Sequence, residues 1–142
     1  MIPKNIYIDT NIFIYLATPN SPYHELSHKS VSLCLNNKTD IFTSTETVQE
    51  IVHVMKINGQ QDKGIFIAKN IIKLVTRLIS VDTEIILQYL ELLSIYKKPQ
   101  SRDVLHVATC IKNKISTIMT YDKHFSEFKE IQILKPEDVI RL

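Results

Sequence analysis

Short apolar runs alternate with longer segments of helical periodicity along this chain, and acidic residues stand at several of the passages between them. Ile6-Tyr7-Ile8 ends at Asp9, Ile41-Phe42 leads into a helical stretch carrying Glu50, and Ile118-Met119-Thr120-Tyr121 ends at Asp122. Strands separated by helices come together through crossover connections and run parallel. The order β, α, β, α, α, β, α, α, β, α, β therefore predicts an α/β fold with a largely parallel sheet. A parallel sheet aligns the carboxyl ends of its strands, and side chains at those ends meet in one crevice.

The pattern predicts a buried strand over 6–9 and a short helix over 11–16, stopped by the turn-rich Ala-Thr-Pro-Asn-Ser-Pro. Leu26, Val31, Leu33 and Leu35 fit a helix from Tyr23 to Leu35, and residues 40–43 fit a short strand. Thr43 and Glu46 have the spacing of a capping box, so a helix is expected over 44–57 with Glu50 in its second turn. Asp62 is expected to cap a helix ending near Val75, and Asp82 another ending near Lys97, with a short strand over 77–81 between them. After Pro99, Ser101 is expected to cap a helix holding Asp103 in its first turn, where the helix dipole favours a carboxylate. A strand over 115–120, a turn with a short helix over 122–128, a strand over 131–134 and a proline-started turn over 136–140 complete the chain.

The 142 residues, 44% of them hydrophobic, fit a single domain over 1–142 with a real core. No apolar run approaches the roughly 20 residues of a membrane span, and Met-Ile-Pro-Lys-Asn leads into a strand, not an apolar signal segment. A cytoplasmic protein with no membrane partner is the expectation. Cys34 and Cys110 form no C-x-x-C pair and read as free buried thiols. The net charge of +2 does not by itself point to nucleic acid. Setting four clustered acids aside, however, leaves the 17 Lys and Arg in clear excess, which would suit a polyanion.

An aspartate beside a helix start is ordinarily a cap, and Asp122 alone would be a turn residue. It is the coincidence of Asp9, Glu50, Asp103 and Asp122 at corresponding ends of predicted elements that points to a divalent-cation site. Hard oxygen ligands suit Mg²⁺ or Mn²⁺. Clustered carboxylates raise one another's pKa unless a cation or strong hydrogen-bond donors lie among them.

The flanks of these acids resemble the PIN domain family, and within it the small bacterial and archaeal toxin ribonucleases of the VapC type. The resemblance covers nearly the whole chain: Asp-Thr-Asn-Ile-Phe at 9–13, Thr-Val-Gln-Glu-Ile-Val at 47–52, Arg-Asp-Val-Leu-His-Val-Ala-Thr at 102–109, Ile-Met-Thr-Tyr-Asp-Lys-His-Phe at 118–125, and the closing Ile-Leu-Lys-Pro-Glu-Asp-Val-Ile. It implies a three-layer α/β/α sandwich in which Asp9, Glu50, Asp103 and Asp122 hold Mg²⁺ or Mn²⁺, with Asn11 and Thr120 as supporting polar residues. The activity implied is metal-assisted hydrolysis of RNA phosphodiester bonds, in which the cation acidifies water and neutralises phosphate charge. The resemblance further implies the toxin role of a type II toxin–antitoxin pair, a small antitoxin as partner, and a homodimer. A PIN-like RNA-processing or RNA-binding module without toxin role is the alternative. Glu46, four residues before Glu50 on the same helix face, competes with it; Glu50 is preferred because its flanks match and Glu46 is assigned to the cap.

Two further constellations use histidines. His24-Glu25-Leu-Ser-His28 matches the H-E-x-x-H pattern of zinc proteases, but stands at the start of a modest helix with no evident third ligand. Glu50-x-x-His53 and Asp103-x-x-His106 are reminiscent of di-iron bundles, which use glutamate in both pairs and lack strands. His106 is read as a partly buried helix residue beside the site, and His53 as satisfied or exposed.

Overall fold

In the computed structural model, which describes residues 1–142, strand β1 (Asn5–Ile8) lies at the centre of a five-stranded sheet. The other strands are β2 (Asp40–Ser44), β3 (Arg77–Ile79), β4 (Thr117–Met119) and β5 (Gln132–Leu134). Their order is β3-β2-β1-β4-β5 and every pairing is parallel. Tyr7 lies opposite Phe42 on one side and Ile118 on the other, and Ile8 opposite Met119. Chain order reverses between β1 and β4, so the crevice beyond their carboxyl ends lies at the topological switch point.

Alternation along β1 decides what each face covers. Ile6 and Ile8 point into one apolar layer, built with α1 (Thr10–Leu16), α2 (His24–Asn36), α3 (Thr45–Ile57), α4 (Gln61–Leu74) and α7 (Pro136–Arg141). Tyr7 points into the other, built with α5 (Thr83–Ile95), α6 (Ser101–Lys112) and the 3₁₀ turn Lys123–Glu127. The result is the three-layer sandwich expected. A fully buried isoleucine such as Ile8 contributes on the order of 1.5–3 kcal/mol by leaving water. Cys34 and Cys110 are buried free thiols, and no helix is long and apolar enough to cross a membrane.

Asp82 caps α5 as expected, accepting from the Ile85 N–H at 3.0 Å. Three other expected caps are not formed. Thr43 turns inward, its hydroxyl donating to the Ile8 carbonyl at 3.0 Å and lying 2.8 Å from Thr47 Oγ1, so Ser44 takes the cap position and no capping box closes. Glu46 is thereby released to face the crevice. Asp62 sits inside the first turn of α4, capped by Gln60, and Ser101 is the first residue of α6 after Gln100. The Ser101 hydroxyl is hydrogen-bonded to Tyr89 instead.

Candidate active site

Asp9 follows β1 directly and caps α1, its Oδ1 accepting from the Thr10 N–H at 2.8 Å. Its Oδ2 accepts from Thr120 Oγ1 at 2.7 Å and from Asn11 Nδ2 at 3.0 Å. Because Thr120 directly follows β4, the Asp9 carboxylate is pinned across the switch point from the end of the neighbouring strand. Thr120 Oγ1 also accepts from Asn11 Nδ2 at 3.1 Å and from the Asp122 N–H at 2.9 Å. One threonine hydroxyl thus orders three of the expected site residues.

Glu50 reaches the same crevice from α3, and both its oxygens are taken. Oε2 accepts from Thr10 Oγ1 at 2.9 Å, and Oε1 lies 2.7 Å from His106 Nε2. His106 projects from α6 and is 1% exposed. Its Nδ1 is 2.6 Å from the Tyr7 hydroxyl, which lies 2.8 Å from Ser44 Oγ. A buried column Ser44–Tyr7–His106–Glu50 therefore crosses from the far layer to the crevice, with His106 Nε2 also 3.9 Å from Asp9 Oδ1.

Asp103 enters from the first turn of α6 at 8% exposure, and its Oδ2 is buried without a hydrogen-bond partner. Asp122 stands at the rim, where its Oδ1 accepts from the His124 N–H and meets His124 Nδ1, each at 2.9 Å. The crevice continues beside α3 as a polar hollow lined by Glu46, Gln49, Glu50, His53 and Arg102.

Burial pushes the Asp103 carboxyl up to about 6, with the Asp122 and Asp9 carboxylates adding to the shift. Burial likewise raises Asp9, against the opposing pull of His106 and the Thr120 and Thr10 hydrogen bonds. For Glu50 burial is outweighed: the His106 hydrogen bond and charge, with Thr10 and Arg102, hold it below its ordinary value. Burial disfavours charge on His106, yet the Glu50 hydrogen bond and the Asp9, Glu50 and Glu46 carboxylates raise its pKa. Glu46 is raised by burial and by the charge of Glu50.

All four expected acids converge here with Asn11 and Thr120, although no three donors are drawn close enough to form a ready-made cation cage. Hydrogen-bonded carboxylates keep lone pairs for a metal, and outer-shell donors of this kind commonly orient ligands. A buried carboxylate oxygen without a partner is costly, and a cation facing Asp103 would satisfy it. The donor set is all oxygen, which suits Mg²⁺ or Mn²⁺.

His106 is more deeply engaged than its place on the helix suggests, and Tyr7, Thr10 and Ser44 join the site without a sequence motif to mark them. Thr10 adjoins Asp9 in the sequence; Tyr7 lies in an apolar strand where its polar tip carries no periodic signal, and Ser44 reads as the first residue of the following helix although it ends β2. The zinc-protease pattern is not assembled: His24 Nδ1 donates to the Tyr15 carbonyl at 2.9 Å, and no third ligand joins His24 and His28. Nor is a di-iron pair, since both nitrogens of His106 are occupied by Tyr7 and Glu50 and His53 faces outward.

The chain is 23% identical over 117 residues to the ribonuclease VapC23 of Mycobacterium tuberculosis, covering 82% of this chain and 92% of that one. Among solved structures it resembles VapBC2 of Rickettsia felis bound to a promoter DNA fragment (TM-score 0.76, 14% identity, 92% of this chain and 98% of that one). It also resembles VapC20 of Mycobacterium tuberculosis, a sarcin–ricin loop cleaving toxin (TM-score 0.72, 18% identity, 89% and 96% covered). The PIN domain family model matches residues 6–131, a span that takes in all four acids together with Asn11 and Thr120, and the chain belongs to the PIN domain family.

Proposed function

We propose that this PIN domain is a Mg²⁺- or Mn²⁺-dependent endoribonuclease and the toxin of a type II toxin–antitoxin pair, acting as a homodimer restrained by a small antitoxin. The observation that carries the nuclease reading is the convergence of Asp9, Glu50, Asp103 and Asp122 at the β1–β4 switch point, with one Asp103 oxygen buried and unpartnered. The ribonuclease name of VapC23 and the likeness to a toxin–antitoxin complex from Klebsiella pneumoniae support the RNA substrate and the antitoxin partner.

Asp9, Glu50, Asp103 and Asp122 would hold the cation. When bound, it would supply acidification of water and neutralisation of phosphate charge. Thr120 and Asn11 fix the Asp9 carboxylate, while Thr10 and His106 fix that of Glu50. Such fixed dipoles need no reorganisation during reaction. Asp122 keeps one oxygen free of protein hydrogen bonds at the rim of the crevice, and we assign it the proton taken from the attacking water.

The test is RNA cleavage with Mg²⁺ or Mn²⁺ by the wild-type protein and by Asp9→Asn and Asp103→Asn. Metal-dependent cleavage lost in both variants is the expected result; no cleavage by wild type, or equal cleavage by the variants, would sink the nuclease reading. Growth arrest on induction, relieved by the product of a short neighbouring reading frame, separates a toxin from an RNA-processing PIN enzyme.

A further inference from the structure

Three tyrosines stand together where the acid cluster meets solvent. Tyr15 lies one helical turn beyond Asn11 on the same face of α1. Tyr121 lies between Thr120 and Asp122, its N–H 3.4 Å from Asn11 Oδ1. Tyr23 precedes α2 and lies against both, with ring centroids 4.9 Å from Tyr15 and 4.8 Å from Tyr121, while Tyr15 and Tyr121 are 5.7 Å apart.

Local structure does not call for tyrosine at position 23. It occupies the cap of α2, where Ser, Thr, Asp or Asn would satisfy an N–H group, and its side chain makes no capping bond. It is 43% exposed. The Tyr121 hydroxyl is anchored on Glu137 Oε2 at 2.9 Å, which holds the base of the group in place beneath the exposed ring. The outcome is a fixed aromatic surface that begins beside Asp122 and is linked through Asn11 to Asp9.

We infer that Tyr15, Tyr23 and Tyr121 form a stacking platform for an unpaired base of the RNA, next to the phosphodiester held at the acids; this rests on the ribonuclease reading above. Single-stranded nucleotides are recognised through the π-faces of their bases on aromatic side chains, which tolerate any base and add affinity beyond the phosphate contacts. An ordered platform costs little entropy on binding, because two of its three rings are already packed. It also fixes the strand's register relative to Asp9 and Asp122.

The test uses Asp9→Asn protein, so that RNA survives the titration, with a short unpaired oligoribonucleotide and its abasic counterpart. Tyr23→Phe is expected to bind the normal strand within about twofold of the Asp9→Asn parent, and Tyr23→Leu roughly tenfold more weakly. The abasic strand should show no difference among the three. Because the chain has six tyrosines and no tryptophan, its intrinsic fluorescence is tyrosine emission, to which these three rings contribute, and it is read after correction for absorption by the bases. The parent's emission should be quenched by the normal strand and not by the abasic one, a result independent of whether Tyr23→Leu folds. Equal binding by Tyr23→Leu, equal weakening on both strands, or equal quenching by both strands would overturn the proposal. So would a Tyr23→Leu defect confined to a partner protein. Metal-dependent cleavage by the wild-type chain, measured alongside, shows whether such a failure belongs to the platform alone or to the nuclease reading as well.

Discussion

His106 Nε2 lies 2.7 Å from Glu50 Oε1 inside the protein, so the one glutamate of the acid cluster arrives at the crevice already held by an imidazole from the opposite layer. Both rotameric freedom and charge are thereby controlled: the carboxylate cannot swing away, and the histidine balances part of the repulsion among the acids. A His106→Leu substitution leaves Glu50 Oε1 without its partner and the Tyr7 hydroxyl with Ser44 alone, in a largely buried setting. The expected loss is about 2–4 kcal/mol, read by urea unfolding. Combining His106→Leu with Glu50→Leu should cost clearly less than the sum of the two single changes. Simple additivity would show that the pair is not coupled.

Thr120 makes a narrower prediction, because its hydroxyl serves Asp9, Asn11 and the Asp122 N–H at once. Thr120→Val keeps the shape of a residue that is 0% exposed and removes only the oxygen. Metal affinity or turnover is expected to fall by about 10–100-fold, as for other outer-shell partners. Stability should fall by only about 1–2 kcal/mol. A variant that unfolds before it loses metal binding would contradict this ordering.

Gly64 lets α4 lie against α3. A Cβ placed there would stand 2.9 Å from the Met55 Cβ and 3.4 Å from the Val52 Cα, atoms that cannot rotate away. Helix propensity alone would favour Gly64→Ala by up to about 1 kcal/mol. Overpacking costs about 1–3 kcal/mol, so the net change in urea unfolding is expected to be destabilising.

What the sequence displayed and what it hid follow from the range of each interaction. Strand and helix order is written in local periodicity, and the acids sit in fixed relation to those elements, which places Asp9, Glu50, Asp103 and Asp122 together at the carboxyl end of the sheet. Caps were less legible. Thr43 has the spacing of a capping box, but its hydroxyl finds the Ile8 carbonyl of the adjacent strand, a choice that depends on a residue 35 positions away. The Tyr7–His106 contact spans 99 positions and pairs a strand residue with a helix residue across the sheet face. Neither has any signature in a window of neighbours. The cap that set Glu46 aside is not formed and Glu46 lines the same hollow, so the preference for Glu50 rests on its flanks and on its bonds to Thr10 and His106.

Asp103 gives the apo protein a pH dependence whose sign differs from that of a typical paired carboxylate. Its pKa is raised from 3.8 to about 6 on folding, so between those values the folded chain binds more protons than the unfolded one. Stability therefore falls as pH rises through this window and is not recovered above it. Relative to Asp103→Asn, the wild-type protein without metal should lose Tm steadily from pH 4 to pH 7. Added Mn²⁺ should reverse the loss at pH 7, because a ligand bound only by the folded state raises stability, by about 2.7 kcal/mol at 100 times its Kd. The same proton competes with the cation, so Mn²⁺ affinity should weaken as pH drops below about 6. Thermal denaturation of both proteins across pH 4–7.5, with and without Mn²⁺, measures all three effects; parallel curves for the two proteins would mean that Asp103 neither titrates in this range nor binds the ion.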